Sequence, residues 1–206
     1  MTELIALDIE TTGLDVVRDR ILSVALYASE TDCVAFFGDE SRVIGSVDAW
    51  LRSRPPSIVV GWHSSAFDCP MLRHRADSNG EPLTLELRRM EHGPRRPNRR
   101  EQAGWPAEGA ARFASSSESG TSAYWARFGS HEHLDIAPFW RPWAQMRGLS
   151  GGLKSVAKAN GIPVLEVDRT RMSTLSADQL CQYNLSDVRA TYRLARMLPQ
   201  SWLTGS

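Results

Sequence analysis

Leu4-Ile5-Ala6-Leu7-Asp8-Ile9-Glu10-Thr11-Thr12-Gly13 is the stretch from which the rest of the chain can be read. A short apolar run passes into an acid, an apolar residue and a second acid, and then into a turn signal. On a strand, residues i and i+2 point to one face. Asp8 and Glu10 have that spacing at the end of the first predicted strand, so both carboxylates can reach a single ion.

Two further contexts carry acids in the same manner. His63-Ser64-Ser65-Ala66-Phe67-Asp68 follows the apolar segment Ile58-Val59-Val60-Gly61-Trp62, and Asp68 falls near the start of a predicted helix. Tyr183-Asn184-Leu185-Ser186-Asp187 lies in the C-terminal helical stretch. Residues i and i+4 share a helix face, so a phenol sits one turn from a carboxylate. Each motif alone is common by chance. The ordered set of four acids and one tyrosine, each on the expected kind of element, is not.

Phosphodiester hydrolysis needs this type of residue. The transition state carries extra negative charge, which two divalent ions about 4 Å apart stabilise while activating water. Mg²⁺ takes oxygen ligands, keeps several waters, and needs few protein carboxylates, provided that they converge. Before metal binds, clustered acids raise one another's pKa and titrate as a group.

The set resembles the DEDD superfamily of 3′→5′ exonucleases in its tyrosine-bearing subgroup. It is similar to the proofreading exonuclease domains of family-B DNA polymerases and their free-standing relatives. The histidine branch has its general base five residues before the last Asp; that position is Gln182 here, and no His follows His133. The resemblance implies two divalent cations, Mg²⁺ or Mn²⁺. Asp8, Glu10 and Asp187 would hold the ion that activates water, Asp8 would bridge to a second, and Asp68 would hold that ion's water shell. Tyr183 would orient the attacking water. Backbone amides around Thr11 and Thr12 would meet the terminal nucleotide, Leu14 would pack on its base, and Phe67 would offer a second stacking surface. His63 stands where polymerase-type relatives usually carry Asn, and its role in contacting the strand stays open.

The implied activity is metal-dependent 3′→5′ hydrolysis at single-stranded or frayed DNA ends, releasing nucleoside 5′-monophosphates. RNA as the substrate, and a non-catalytic module that binds nucleic acid or docks a partner, are the alternatives. Retention of all four acids and Tyr183 argues against the latter.

Length and composition set bounds. The 206 residues fit one domain. Any polymerase or helicase partner is expected on a separate chain, and oligomeric state is not readable. Net charge is zero, and Lys154 and Lys158 are the only lysines in an Arg-dominated chain. Cys33, Cys69 and Cys181 are widely spaced with no Cys-x-x-Cys, which argues against a disulfide framework and for a reducing cytoplasm. No run approaches the roughly 20 apolar residues that a membrane helix requires.

The element pattern reads β-β-β-α-β-α. Strands are expected at Leu4–Leu7 and into the first motif, Arg20–Tyr27 and Cys33–Phe37, then a helix at Ser46–Ser53, a strand at Ile58–Trp62 and a helix at Ala66–Ala76. A strand at Leu134–Ile136 and helices at Pro138–Met146, Leu153–Asn160 and Ala177–Leu198 follow, the last with Ser176 as its cap. This order matches an α/β, ribonuclease H-like fold: a mixed β-sheet flanked by helices. Residues 77–130 read as a flexible insertion, with six arginines between Arg88 and Arg100 against the single acid Glu91. The insertion either is a bland surface loop or tracks phosphates, with Trp105, Tyr124 or Trp125 to stack bases. His131-Glu132-His133 lacks the spacing of a metalloprotease helix, and Asp135 reads as a structural or supporting acid. Trp140 and Trp143 read as packing residues.

Overall fold

The computed structural model describes residues 3–89, 124–168 and 174–204. Its elements are β1 (Leu4–Thr11), β2 (Ile21–Ser29), β3 (Asp32–Phe37), α1 (Glu40–Arg52), β4 (Ile58–Gly61), α2 (Asp68–Asn79), β5 (Leu85–Arg89), β6 (Tyr124–Phe128), β7 (His131–Asp135), α3 (Ala137–Met146), α4 (Leu153–Ala159), α5 (Ala177–Arg196) and α6 (Gln200–Thr204). The strands form one sheet in the order β3-β2-β1-β4-β7-β6-β5. β1, β4 and β7 run parallel at its centre, with an antiparallel pair on either side. The expected β-β-β-α-β-α order holds.

The alternation within β1 divides the molecule into two layers. Ile5, Leu7 and Ile9 face a core shared with Val43, Ile44, Val47 and Leu51 of α1 and with Met71 and Leu72 of α2. Leu4 and Ala6 face the opposite core, with Val188 and Leu194 of α5, Trp140 and Trp143 of α3, and Trp202 of α6. Burying a side chain of this size contributes about 1.5–3 kcal/mol, and slipping β1 by one residue would exchange its two rows and turn Asp8 and Glu10 toward the α1–α2 core. Asp8 and Glu10 continue the even-numbered row. They are therefore delivered to the α5 side of the sheet.

α1 begins six residues before its expected start. Asp39 caps it by accepting from the Arg42 amide at 3.1 Å. Glu40 then accepts from the Ile21 amide at 2.7 Å and from Arg75 Nε at 2.9 Å, tying α1 to β2 and α2. Gly45, which costs a helix about 1 kcal/mol, is carried by these anchors and by the apolar stripe.

The expected insertion at 77–130 is also corrected at its ends. Residues through Asn79 complete α2, and β5 and β6 pair antiparallel at the sheet edge. Residues 90–123, which include Trp105 and the arginines from Arg95 to Arg100, lie outside the described residues. Trp140 and Trp143 are core residues, edge to face at 5.3 Å.

Candidate active site

α5 is positioned by three local features. Ser176 accepts from the Gln179 amide at 3.2 Å while Gln179 Oε1 accepts from the Ser176 amide at 3.0 Å, a reciprocal cap that fixes the helix start. Small residues lie beneath it on the sheet, Ala6 and Ala25. Buried Asn184 donates to Ser23 Oγ at 2.9 Å, and Ser23 is the partner of Glu10 in the β1–β2 register. That bond sets the height of α5 over the acids. Sequence reading passed over Asn184, although its place between Tyr183 and Asp187 was the available signal.

Asp8, Glu10 and Asp187 meet as expected. One carboxylate oxygen from each lies within 4.8 Å of the other two. Asp187 is buried, and Asp8 and Glu10 are half-buried. A register shift between Glu10 and Thr11 ends the regular ladder beside the cluster; bulges often occur next to active sites, where they re-aim a side chain. Converging hard oxygen donors suit a divalent cation of the Mg²⁺ type, which fills its remaining positions with water, so the donor set fits the expected metal. Among the described residues this is the one group of three or more potential ligands that converges in this way. His131 and His133 are not part of it: the His131 ring is bonded to the Leu51 carbonyl at 2.9 Å, and the His133 ring to Ser64 Oγ at 2.8 Å.

Asp68 stands apart from that trio but touches its strand. It is buried at the start of α2, and its Oδ1 accepts from the amide of Ile9, the residue between the two β1 acids, at 3.3 Å. Burial, with the neighbouring Asp135 carboxylate adding to it, pushes Asp68 up to about 7.

Asp135 is an anchor. Its carboxylate accepts from the His63 amide at 3.0 Å, the Ser65 amide at 3.3 Å, Ser65 Oγ at 2.7 Å and the Ala137 amide at 3.1 Å. These bonds clamp the loop between β4 and α2, which carries Asp68, to the end of β7. Gly61 lets the loop turn this tightly, because a Cβ there would lie 2.2 Å from Ser64 Oγ. Within the clamp, His63 adopts φ +60°, among the described residues the only non-glycine residue at positive φ. Arg141 Nη2 lies 3.1–3.2 Å from both ring nitrogens of His63. Burial depresses the His63 pKa; Asp135 opposes that shift and Arg141 adds to it.

Tyr183 is buried one turn before Asp187. Lys154 of α4 joins them: its Nζ lies 3.7 Å from the Tyr183 ring centroid and 3.4 Å from Asp187 Oδ1, and donates to the Leu165 carbonyl at 2.5 Å. This cation offsets part of the acidic charge and packs the phenol ring. Lys154 escaped sequence reading as a site residue; its rarity in an Arg-dominated chain was the sole signal.

The loop after β1 is internally bonded. The Thr12 amide donates to the Arg20 carbonyl at 3.0 Å, Thr12 Oγ1 donates to Asp19 at 2.8 Å, and Thr11 Oγ1 donates to the Gly13 carbonyl at 2.6 Å. The Thr12 amide is thus bonded within the loop. Leu14 is 81% exposed at the loop tip. Phe67 is half-buried against the α1–α2 core, and it precedes Asp68 as the cap residue of α2.

Fold and site together define an α/β protein with a mixed seven-stranded sheet, helices on both faces, and an acidic cluster where the end of β1 meets α5. No family model matches the chain. Over 68 residues, 33% of the chain, it is 33% identical to the DNA polymerase of Archaeoglobus fulgidus, of which that stretch makes up 9%. The structure resembles that of the family B DNA polymerase from Pyrobaculum calidifontis with a TM-score of 0.66 at 20% identity, over 96% of this chain and 24% of that one. The chain thus spans only a small part of either relative. The likeness supports the expected ribonuclease H-like fold, a mixed sheet flanked by helices. Among the described residues no helix is long and apolar enough to cross a membrane.

Proposed function

We propose that the chain is a metal-dependent 3′→5′ exonuclease of the tyrosine-bearing DEDD type, acting on single-stranded or frayed DNA ends. The observation that carries this reading is the convergence of Asp8, Glu10 and Asp187, from two elements far apart in sequence, one helical turn from Tyr183. The likeness to stretches of DNA polymerases favours DNA over RNA.

Asp8, Glu10 and Asp187 would hold one divalent ion, and Asp8 with Asp68 a second. Bound there, Mg²⁺ or Mn²⁺ supplies charge neutralisation and lowers the pKa of coordinated water. The protein's own groups do the rest. The β1 alternation and the Asn184–Ser23 bond bring the three acids together. Tyr183, fixed by burial and by Lys154, orients the attacking water. Asp135 holds the loop bearing Asp68 against β1. Leu14, projecting from a loop locked by Asp19, would pack on the terminal base.

The reading is tested by product analysis on a DNA strand labelled at its 3′-terminal nucleotide. The expected product is the labelled nucleoside 5′-monophosphate, formed with Mg²⁺ or Mn²⁺ and lost in Asp187→Asn. Release of a dinucleotide or of a 3′-phosphate would contradict it.

A further inference from the structure

His63 and Arg141 form a feature that the metal chemistry leaves unused. β4 and β7 are parallel and paired through Gly61 and Asp135, and the Ile136 amide donates to the Gly61 carbonyl at 2.9 Å. His63 follows the end of β4 by two residues, and Arg141 lies one turn into the helix that follows β7. β1 is parallel to β4 as well, with Ala6 opposite Val60. His63, Arg141 and the β1 acids therefore emerge at the same edge of the sheet, where the ends of parallel strands commonly present ligand sites.

Three details mark the pair as more than packing. First, His63 is held at φ +60°, a conformation costly for a residue with a Cβ and kept here by the Asp135 clamp on its amide. Second, Arg141 is exposed and has no carboxylate within ion-pair distance among the described residues, whereas seven other described arginines do. Its observed polar partner is an imidazole, and a neutral imidazole has one accepting nitrogen, so most of the guanidinium donors are not used in this contact. Third, the Arg141 stem runs past Gly151, where a Cβ would come to 3.1 Å from Arg141 Cγ, so the glycine leaves room for this placement.

An exposed guanidinium with donors to spare, at the sheet edge that also carries the β1 acids, has the chemistry of an anion subsite. The acids repel a polyanion, and a strand reaching them must be gripped elsewhere by cations. We infer that Arg141, oriented by His63, binds a phosphodiester of the substrate strand upstream of the bond that is cut. The inference rests on the exonuclease reading for the identity of its strand. Guanidinium suits this role because it offers paired donors to phosphate oxygens. Arg141 is a positioning residue: it holds the strand and touches no reacting atom.

The experiment compares wild type, Arg141→Ala and Arg141→Lys by two readouts. Binding of a 5′-fluorescent oligothymidylate of about ten nucleotides is followed by anisotropy in EDTA across a KCl series. Loss of one phosphate contact is expected to weaken binding about tenfold and to lower the salt slope by about 0.7, the single-strand value per phosphate. Arg141→Lys is expected to keep the slope and lose part of the affinity, because charge remains without the paired donors. Hydrolysis is then measured on that strand and on a dinucleotide, which contains only the scissile phosphate. Arg141→Ala is expected to lower kcat/KM about tenfold on the long strand, mainly through KM, and far less on the dinucleotide. An unchanged salt slope, or equal losses on both substrates, would overturn the inference. The binding arm needs no turnover: a wild type that binds as described but never cuts would sink the exonuclease reading alone, and one that cuts with no change in the variant's slope would sink this inference alone.

Discussion

Replacing Asp68 with Asn in the metal-free protein should stabilise it at alkaline pH and leave it nearly unchanged near pH 4. Asp68 is buried, and its folded-state pKa is raised from 3.8 to about 7 by burial and by Asp135. The folded protein therefore holds this proton more tightly than the unfolded chain does. That contribution to stability is complete below about pH 4 and is lost as pH rises through about 7. At about 1.4 kcal/mol per pH unit, the gap corresponds to an upper limit of about 4 kcal/mol, and relaxation around the charge should leave about 2–3 kcal/mol. Asn keeps an oxygen for the Ile9 amide and never ionises. His133 acts in the opposite direction: burial depresses its pKa to about 4, so its contribution is lost as pH falls from 6.5 through 4. It is present in both proteins and largely cancels in the difference. Urea denaturation in EDTA between pH 4.5 and 8.5 measures the effect. The Asn variant should gain on wild type steadily up to pH 8, and added Mn²⁺ should reverse the order, because a ligand that binds the folded state stabilises it by mass action. A pH-independent difference, or a less stable Asn variant at pH 8 in EDTA, would refute the reasoning.

Other outcomes follow from the same geometry. Tyr183→Phe keeps the ring against Lys154 and removes the hydroxyl proposed to orient water; it should slow hydrolysis by about 10²-fold and leave metal affinity unchanged, as read by steady-state rates and Mn²⁺ titration. At His63 the positive φ makes Gly a better replacement than Ala, the reverse of the usual helix order: His63→Gly should be more stable than His63→Ala by about 1 kcal/mol. Equal denaturation midpoints for the two would show that the strain is absent in solution.

How much of this was legible in the sequence depends on the range of the forces involved. Period-two alternation is local, so Leu4, Ala6, Asp8 and Glu10 could be placed on one face from the sequence, and the Ser176 cap could be read beside its helix. The start of α1 was hidden because Gly45 resembles a break, whereas the anchors of Glu40 lie on β2 and α2. Within 77–130, the short alternation Leu85-Glu86-Leu87 was masked by the arginine run, and β5 is a strand because β6 pairs with it. Lys154 meets Asp187 from another helix, and Asp135 clamps a loop some 70 residues away. No local pattern encodes such contacts; they exist only once the sheet has formed. His63 differs again, since its αL backbone is imposed by Asp135 and by Gly61 rather than by its own preference.

The most direct test of the account is a time course on a 5′-labelled single-stranded DNA, with its RNA counterpart alongside, in Mg²⁺, Mn²⁺ or EDTA. Asp8→Ala protein, shown to be folded by circular dichroism, serves as the control. The account predicts a ladder shortening from the 3′ end, faster on DNA, dependent on the metal and absent in the variant. Intact DNA with folded, metal-supplemented wild type, or an unchanged ladder with Asp8→Ala, would contradict it.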